Sequence, residues 1–102
     1  MDETCGGWSR EQDVQGHPEI QKICDMVKPH VEIKVGKIFE EFTAKRFISQ
    51  VVAGMNYIIK VHVGGSVFVL VKVFQALPYE GGVLTLGVCQ YPKEEGDPLT
   101  PS

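Results

Sequence analysis

Residues 46–63 read RFISQVVAGMNYIIKVHV and contain the clearest structural pattern of the chain. Up to Val52 the residues are rich in Phe, Ile and Val, and after Gly54 apolar residues alternate with Asn, Lys and His. Branched and aromatic residues with a period of two are typical of strands that have one buried face. Because Ala53 and Gly54 interrupt the two runs, the stretch predicts two antiparallel strands of one sheet.

The residues before this stretch predict one amphipathic helix. Pro18 is well placed at a first helical position, and apolar residues then follow at steps of three and four. This stripe predicts a helix of about 18 residues, with Gly36 as its C-terminal stop. Pro29 lies inside the stripe and removes one hydrogen bond, so we expect a kink or an early stop there.

The remaining sequence predicts a small antiparallel sheet. Strand-forming runs cover four stretches: 39–52, 55–63, 67–74 and 84–91. Gly64-Gly65 predicts a two-residue hairpin turn, residues 76–82 a loop, and the proline-containing residues 92–102 an irregular coil. In the last strand, Leu84, Leu86 and Val88 are expected to share one face. One helix followed by about four strands indicates an α+β fold, with the helix covering one face of the sheet.

The composition excludes several classes of protein. The chain has 102 residues, 43% of them apolar, and a net charge of −3, which suits one small domain. The acidic balance argues against a nucleic-acid partner, and no apolar run is long enough to indicate a membrane partner. The N-terminus lacks the basic start and apolar run of a signal peptide, so we expect a cytoplasmic protein.

The reactive side chains show no pattern of an enzyme or a metal site. Cys5, Cys24 and Cys89 are too few and too irregularly spaced for a disulfide framework, so three free thiols are expected, two of them buried. No G-x-S-x-G, P-loop or H-E-x-x-H motif is present. We therefore predict no catalytic residue, no metal and no cofactor.

Three segments are candidates for binding a partner, and each also has a purely structural interpretation. Gln50-Val51-Val52-Ala53-Gly54 is either the end of a buried strand with a bulge at Gly54, or an exposed apolar loop that enters a dry groove of a partner. Leu77-Pro78-Tyr79-Glu80 is either a plain strand connection or a second contact loop. Cys5-Gly6-Gly7 is either a disordered terminus or a third contact.

The first of these segments, with Asn56 and Tyr57 after it, resembles the QVVAG-x-NY signature of the stefins, the type 1 cystatins. The similarity extends over roughly residues 17–100. It includes Glu19-Ile20-Gln21 and Val27-Lys28-Pro29 in the helix, Ile59-Lys60-Val61-His62-Val63-Gly64, the run from Leu70 to Pro78, and Asp97-Pro98-Leu99-Thr100.

The resemblance implies a cystatin-like fold, in which an antiparallel sheet of four to five strands wraps around one long α-helix. It also implies a reversible, tight-binding inhibitor of papain-like cysteine proteases such as lysosomal cathepsins. Stefins fill the protease cleft with an uncharged, three-part wedge. In this chain the wedge would consist of Gly6 or Gly7, of Gln50, Val51, Val52, Ala53 and Gly54, and of Leu77, Pro78 and Tyr79.

The polar, glycine-containing start of the chain and the resemblance together predict the domain organisation. Residues 1–16 are expected to form a flexible N-terminal trunk, and residues 17–102 a single cystatin-like domain. We expect a monomer, with a domain-swapped or a Cys5-linked dimer as alternatives. Trp8 and Tyr79 depart from the stefin pattern. The alternative function is a cystatin-fold interaction module without strong protease inhibition.

Overall fold

One long helix, α1, runs from Pro18 to Val35 in the computed structural model of the protein, which describes residues 7–100. It ends where Gly36 adopts a left-handed conformation, with φ of 80°, and donates its N–H to the Glu32 carbonyl at 2.8 Å. Pro29 is exposed and the helix continues past it, so the early stop is not observed. Within the described residues, no helix is both long and apolar enough to cross a bilayer.

Within residues 7–100, five antiparallel strands form one sheet, and their spatial order is their order in the chain. They are β1 (Gln12–Asp13), β2 (Thr43–Val52), β3 (Gly54–Gly64), β4 (Val67–Gln75) and β5 (Leu84–Lys93). The strand predicted from residue 39 begins only at Thr43. The predicted turn at Gly64-Gly65 lies one residue later, because Gly64 still pairs with Val67. One helix packed on an antiparallel sheet confirms the α+β class.

The main core lies between α1 and the sheet face that it covers, which we term the inner face. The helix contributes residues with the predicted spacing: Ile20, Ile23, Cys24, Val27 and Val31. The three central strands contribute their inward-facing residues: Ala44, Phe47, Tyr57, Ile59, Val61, Val69, Val71 and Val73. Full burial of each large aliphatic side chain contributes roughly 1.5–3 kcal/mol, so this layer holds the helix on the sheet.

β5 changes the face of its side chains halfway along because it carries a β-bulge. Val73 pairs with Leu86 and Val71 pairs with Cys89, so two residues of β5 lie opposite one residue of β4. The inserted residue moves the next side chains of β5 to the other face of the sheet, until a second register shift between Gln90 and Lys93. Cys89 therefore packs on the main core and Val88 is 52% exposed. The prediction that Val88 shares a face with Leu86 is wrong.

The opposite face of the sheet, the outer face, is partly covered by the C-terminal segment, residues 94–100. One residue of this segment, Leu99, is 7% exposed. It belongs to a small apolar group that we term the outer cluster: Ile48, Ile58, Leu70 and Leu99. The coil predicted for this part of the chain thus packs as a cover on the sheet.

Lys60 fastens the C-terminal segment to the outer face. It lies two residues after Ile58 in β3 and is only 3% exposed. Its ammonium group donates hydrogen bonds to the carbonyl oxygens of Glu95 and Asp97, and it lies 5.4 Å from the centre of the Phe68 ring. Buried ammonium groups need such acceptors to offset lost hydration, so segment and lysine stabilise each other.

Residues 8–14, before α1, run along the edge of β2. Gln12–Asp13 pairs with β2 as the short strand β1, and Trp8 forms an isolated antiparallel bridge with Gln50. The prediction of a flexible trunk over residues 1–16 did not include this pairing. Residues 1–6 lie outside the described part of the chain, and the domain boundary at residue 17 stays a prediction.

Candidate functional site

The segment Gln50-Val51-Val52-Ala53-Gly54 forms the tip of the β2–β3 hairpin. Val52 pairs with Gly54, which leaves Ala53 alone at the reversal of the chain. Val51 is 53% exposed and Ala53 is exposed, whereas Gly54 is buried. Of the two interpretations left open by the sequence, the structure therefore has the exposed apolar tip and not the end of a buried strand.

Gly54 is the one residue of the tip that packs tightly against the rest of the sheet. Its φ is +131°, a conformation that residues with a Cβ rarely adopt. A Cβ at this position would lie 2.5 Å from the Gln75 carbonyl oxygen and 2.8 Å from the Phe74 ring. Only glycine therefore allows the tip to approach the end of β4 this closely.

A hydrogen bond across the hairpin stiffens the stem of the tip. The Asn56 side-chain amide donates to the side-chain oxygen of Gln50 at 2.8 Å, and the two residues are direct partners in the β2–β3 ladder. Sequence reasoning missed Asn56 and Phe74 as supports of the tip. The pairing register would have shown both, because it places Asn56 opposite Gln50 and also opposite Phe74.

Leu77, Pro78 and Tyr79 lie in a compact loop between β4 and β5. A single 3₁₀ turn spans Pro78–Glu80, and the N–H groups of Glu80 and Gly82 both donate to the Leu77 carbonyl, at 2.9 and 3.1 Å. Leu77 is half-buried, and Tyr79 is 82% exposed. The loop thus has an internally bonded backbone and presents an aromatic side chain to solvent.

The hairpin tip and this loop lie side by side at one end of the sheet. They flank a shallow cavity of about 510 Å³, whose lining includes Gly54, Leu77 and Pro78. The register brings them together, because Met55 at the start of β3 pairs with Gln75 at the end of β4. Tyr79 does not line this cavity.

Gly7, the part of the third predicted segment that the structure describes, reaches the same end of the sheet from the edge of β2. Since Trp8 is antiparallel to Gln50, the chain before Trp8 runs toward the level of Val51 and the tip. Gly7 lies there and is half-buried. Gly6, the alternative trunk glycine, lies outside the described residues. We term this end of the sheet the wedge end: Gly7, residues 50–54 and residues 77–79.

The described thiols do not have the properties of catalytic nucleophiles. Burial, with a smaller contribution from the Asp25 charge, raises the pKa of Cys24 to about 12. Burial also raises the pKa of Cys89. A reactive cysteine instead needs a depressed pKa and access. Among residues 7–100, no group of three His, Cys, Asp or Glu side chains is placed to hold a metal ion. Cys5 lies outside the described range.

The histidine with a perturbed pKa lies at the other end of β3. His62 Nε2 is 2.8 Å from the Gly65 carbonyl oxygen, and Nδ1 is 2.6 Å from a carboxylate oxygen of Glu41. These acceptors, Gly65 first and Glu41 second, raise the pKa of His62 above 6.5. Because His62 pairs with Thr43 and Phe68, it is remote from the wedge end. The residues 50–54 themselves carry no titratable group.

Comparisons with known proteins give one family. The Cystatin domain model matches residues 9–93. Cystatin-B of Oplegnathus fasciatus is 46% identical over 99 residues, which are 97% of this chain and 97% of the relative. Cystatin-B of Homo sapiens is 48% identical over 96 residues, or 94% and 96% of the two chains. Leukocyte cysteine proteinase inhibitor 1 of Sus scrofa is 51% identical over 83 residues, 81% of each chain. The chain therefore belongs to the cystatin family, in its stefin branch.

Proposed function

We propose that this protein is a reversible, tight-binding inhibitor of papain-like cysteine proteases. Membership of the cystatin family supports the proposal, as does the likeness to a relative that is named a cysteine proteinase inhibitor. The observation that carries it is the wedge end, where an uncharged, exposed hairpin tip lies beside a compact loop and Gly7 arrives at the same level. The residues of the wedge end are the proposed contacts.

The wedge end suits a narrow, dry cleft. Val51 and Ala53 present apolar groups, and no charge of residues 50–54 would need to be desolvated. An interface of standard size buries about 800 Å² on each partner. Three features keep this surface in one conformation: the Asn56–Gln50 hydrogen bond, the close approach of Gly54 to β4, and the internal hydrogen bonds of the loop. A preorganised surface loses little entropy on docking, which favours tight binding.

The same geometry explains how the inhibitor would escape cleavage. The tip is a chain reversal at Ala53, and residues 78–80 form a 3₁₀ turn. At Ala53 and at residues 78–80 the backbone turns, so no extended peptide would present its carbonyl carbon to the protease thiolate there. Because nucleophilic attack needs close approach and alignment of the reacting atoms, the bound inhibitor stays intact. Cathepsins as targets and the cytoplasm as location are proposed from the resemblance to stefins.

Titration of an active-site-quantified papain-like protease tests this function. We expect an inhibition constant well below about 1 μM, the range of stable complexes, and an inhibitor of unchanged mass after prolonged incubation. A serine protease serves as control and should be unaffected. An inhibition constant weaker than about 1 μM would contradict the proposal and favour an interaction module that has lost strong inhibition.

A further inference from the structure

Trp8 is held beside the wedge end by two hydrogen bonds that its C-terminal neighbour, Ser9, makes with Ser49. The Ser9 N–H donates to the Ser49 carbonyl at 2.8 Å, and the Ser49 N–H donates to the Ser9 hydroxyl at 3.0 Å. Trp8 itself is opposite Gln50, one residue before Val51 of the tip. The position of Gly7, which precedes Trp8 directly, therefore depends on how firmly Trp8 is fixed.

The indole of Trp8 packs against the outer cluster. Three members of this cluster belong to the sheet, but Leu99 comes from the C-terminal segment. Trp8 and Leu99 are distant in sequence, yet they cover the same patch of the outer face. The C-terminal segment is therefore placed to influence the N-terminal one without belonging to the wedge end.

The segment that carries Leu99 is itself well fastened. The Asp97 N–H donates to the Glu94 carbonyl at 3.0 Å, and the Glu94 N–H donates to an Asp97 carboxylate oxygen at 2.8 Å. Lys60, in β3, donates hydrogen bonds to the carbonyl groups of Glu95 and Asp97. Leu99 thus reaches the outer cluster from an anchored turn, and it belongs to the apolar group against which Trp8 packs.

We propose that Leu99 is a positioning residue for protease binding, which acts by seating Trp8 and thereby holding Gly7 toward the cleft. The inference rests on the proposed function. A loosened trunk samples more conformations, and ordering them again on docking costs free energy. Weakened contacts within one interface usually appear as faster dissociation. Leu99 therefore affects residence time while lying outside the contact surface.

The test compares dissociation rates from a papain-like protease in four proteins: the full chain, Leu99→Ala, a chain lacking residues 1–7, and the combination. We expect Leu99→Ala to speed dissociation about tenfold, equivalent to ~1.4 kcal/mol, in the full chain only. Thr100→Ala, an exposed neighbour, is the matched control. Val31→Ala lowers stability in the main core, away from Trp8, and should leave dissociation unchanged. Leu99→Met, which keeps a large apolar side chain, should dissociate at close to the wild-type rate.

A second readout does not need the protease. Trp8 is the single tryptophan of the chain, so the fluorescence of the free protein reports directly how well the indole packs on the outer cluster. Leu99→Ala should shift the emission to longer wavelength, and Thr100→Ala should not. An unchanged emission, or equal acceleration with and without residues 1–7, would overturn the inference. A full chain that does not inhibit would overturn the proposed function instead, and the fluorescence would still decide whether Leu99 seats Trp8.

Discussion

Replacing Val51 by Glu should weaken protease inhibition far more than the same change at Val88. The two valines are 53% and 52% exposed, and both lie in strands. Val51 belongs to the wedge end, whereas Val88 lies in the bulge of β5, four residues beyond the Leu84–Gln75 pair. The comparison therefore keeps residue type and exposure constant and changes only the place on the surface.

The size of the effect follows from the exposed area of Val51. Complete burial of a valine side chain contributes roughly 1.5–3 kcal/mol, so docking the remaining half of Val51 contributes about 1 kcal/mol. Val51→Ala should accordingly raise the inhibition constant about fivefold. In Val51→Glu an unpaired carboxylate would enter a dry contact, and an uncompensated buried charge costs roughly 3–5 kcal/mol. This corresponds to a loss of at least about a hundredfold.

The assay is a tight-binding titration against an active-site-quantified papain-like protease, with thermal unfolding of each variant as a check on the fold. Both substitutions are at exposed positions, so all variants should have unfolding temperatures close to that of the wild type. Inhibition by Val51→Glu within about threefold of the wild type would show that the tip does not enter the cleft. Equal weakening by Val88→Glu would show that charge alone, and not position, decides the affinity.

Three further results are expected. Gly54→Ala should lower the free energy of unfolding, measured by chemical denaturation, by about 2 kcal/mol or more. Gly64→Ala should lower it less, since Gly64 has a similar φ of +124° but open space around it. Equal losses in the two variants would contradict the close approach of Gly54 to β4. Because the pKa of His62 is raised on folding, its contribution to stability is present below pH ~6.5 and is lost as pH rises through the folded-state pKa. This pH dependence of the free energy of unfolding should vanish in His62→Gln. If it persists in the denaturation curves of that variant, another titratable group causes it. Lys60→Met should cost about 1.5–3 kcal/mol and speed amide exchange in residues 94–100, and unchanged exchange would show that Lys60 does not fasten them.

Local patterns were sufficient to predict most of the helix and the central strands. The stripe of α1 has the period of a helix, and Pro18 and Gly36 mark its ends. Pro29 misled the prediction of an early stop, because an exposed proline loses one hydrogen bond while the buried stripe still holds the helix on the sheet. Packing of the stripe therefore outweighed the local cost.

Features that depend on pairing between distant segments were not predictable. The alternation of Leu84 and Leu86 gives no sign that an extra residue precedes Cys89, since a bulge is visible only against the partner strand. In the candidate site, the apolar, uncharged residues 50–54 left an exposed tip and a buried strand end both open, and only the resemblance to stefins favoured the tip. The approach of Gly54 to Phe74 requires the register of two strands.

Cys24 offers a consequence for experiments on this protein. Its side chain has no exposed surface, and its pKa is about 12, so reagents that need an accessible thiolate have no target while α1 lies on the sheet. The rate of alkylation at Cys24, followed by peptide mass, therefore measures how often the main core opens. A protein proposed to block thiol enzymes thus keeps this thiol of its own out of reach of its target and of oxidants.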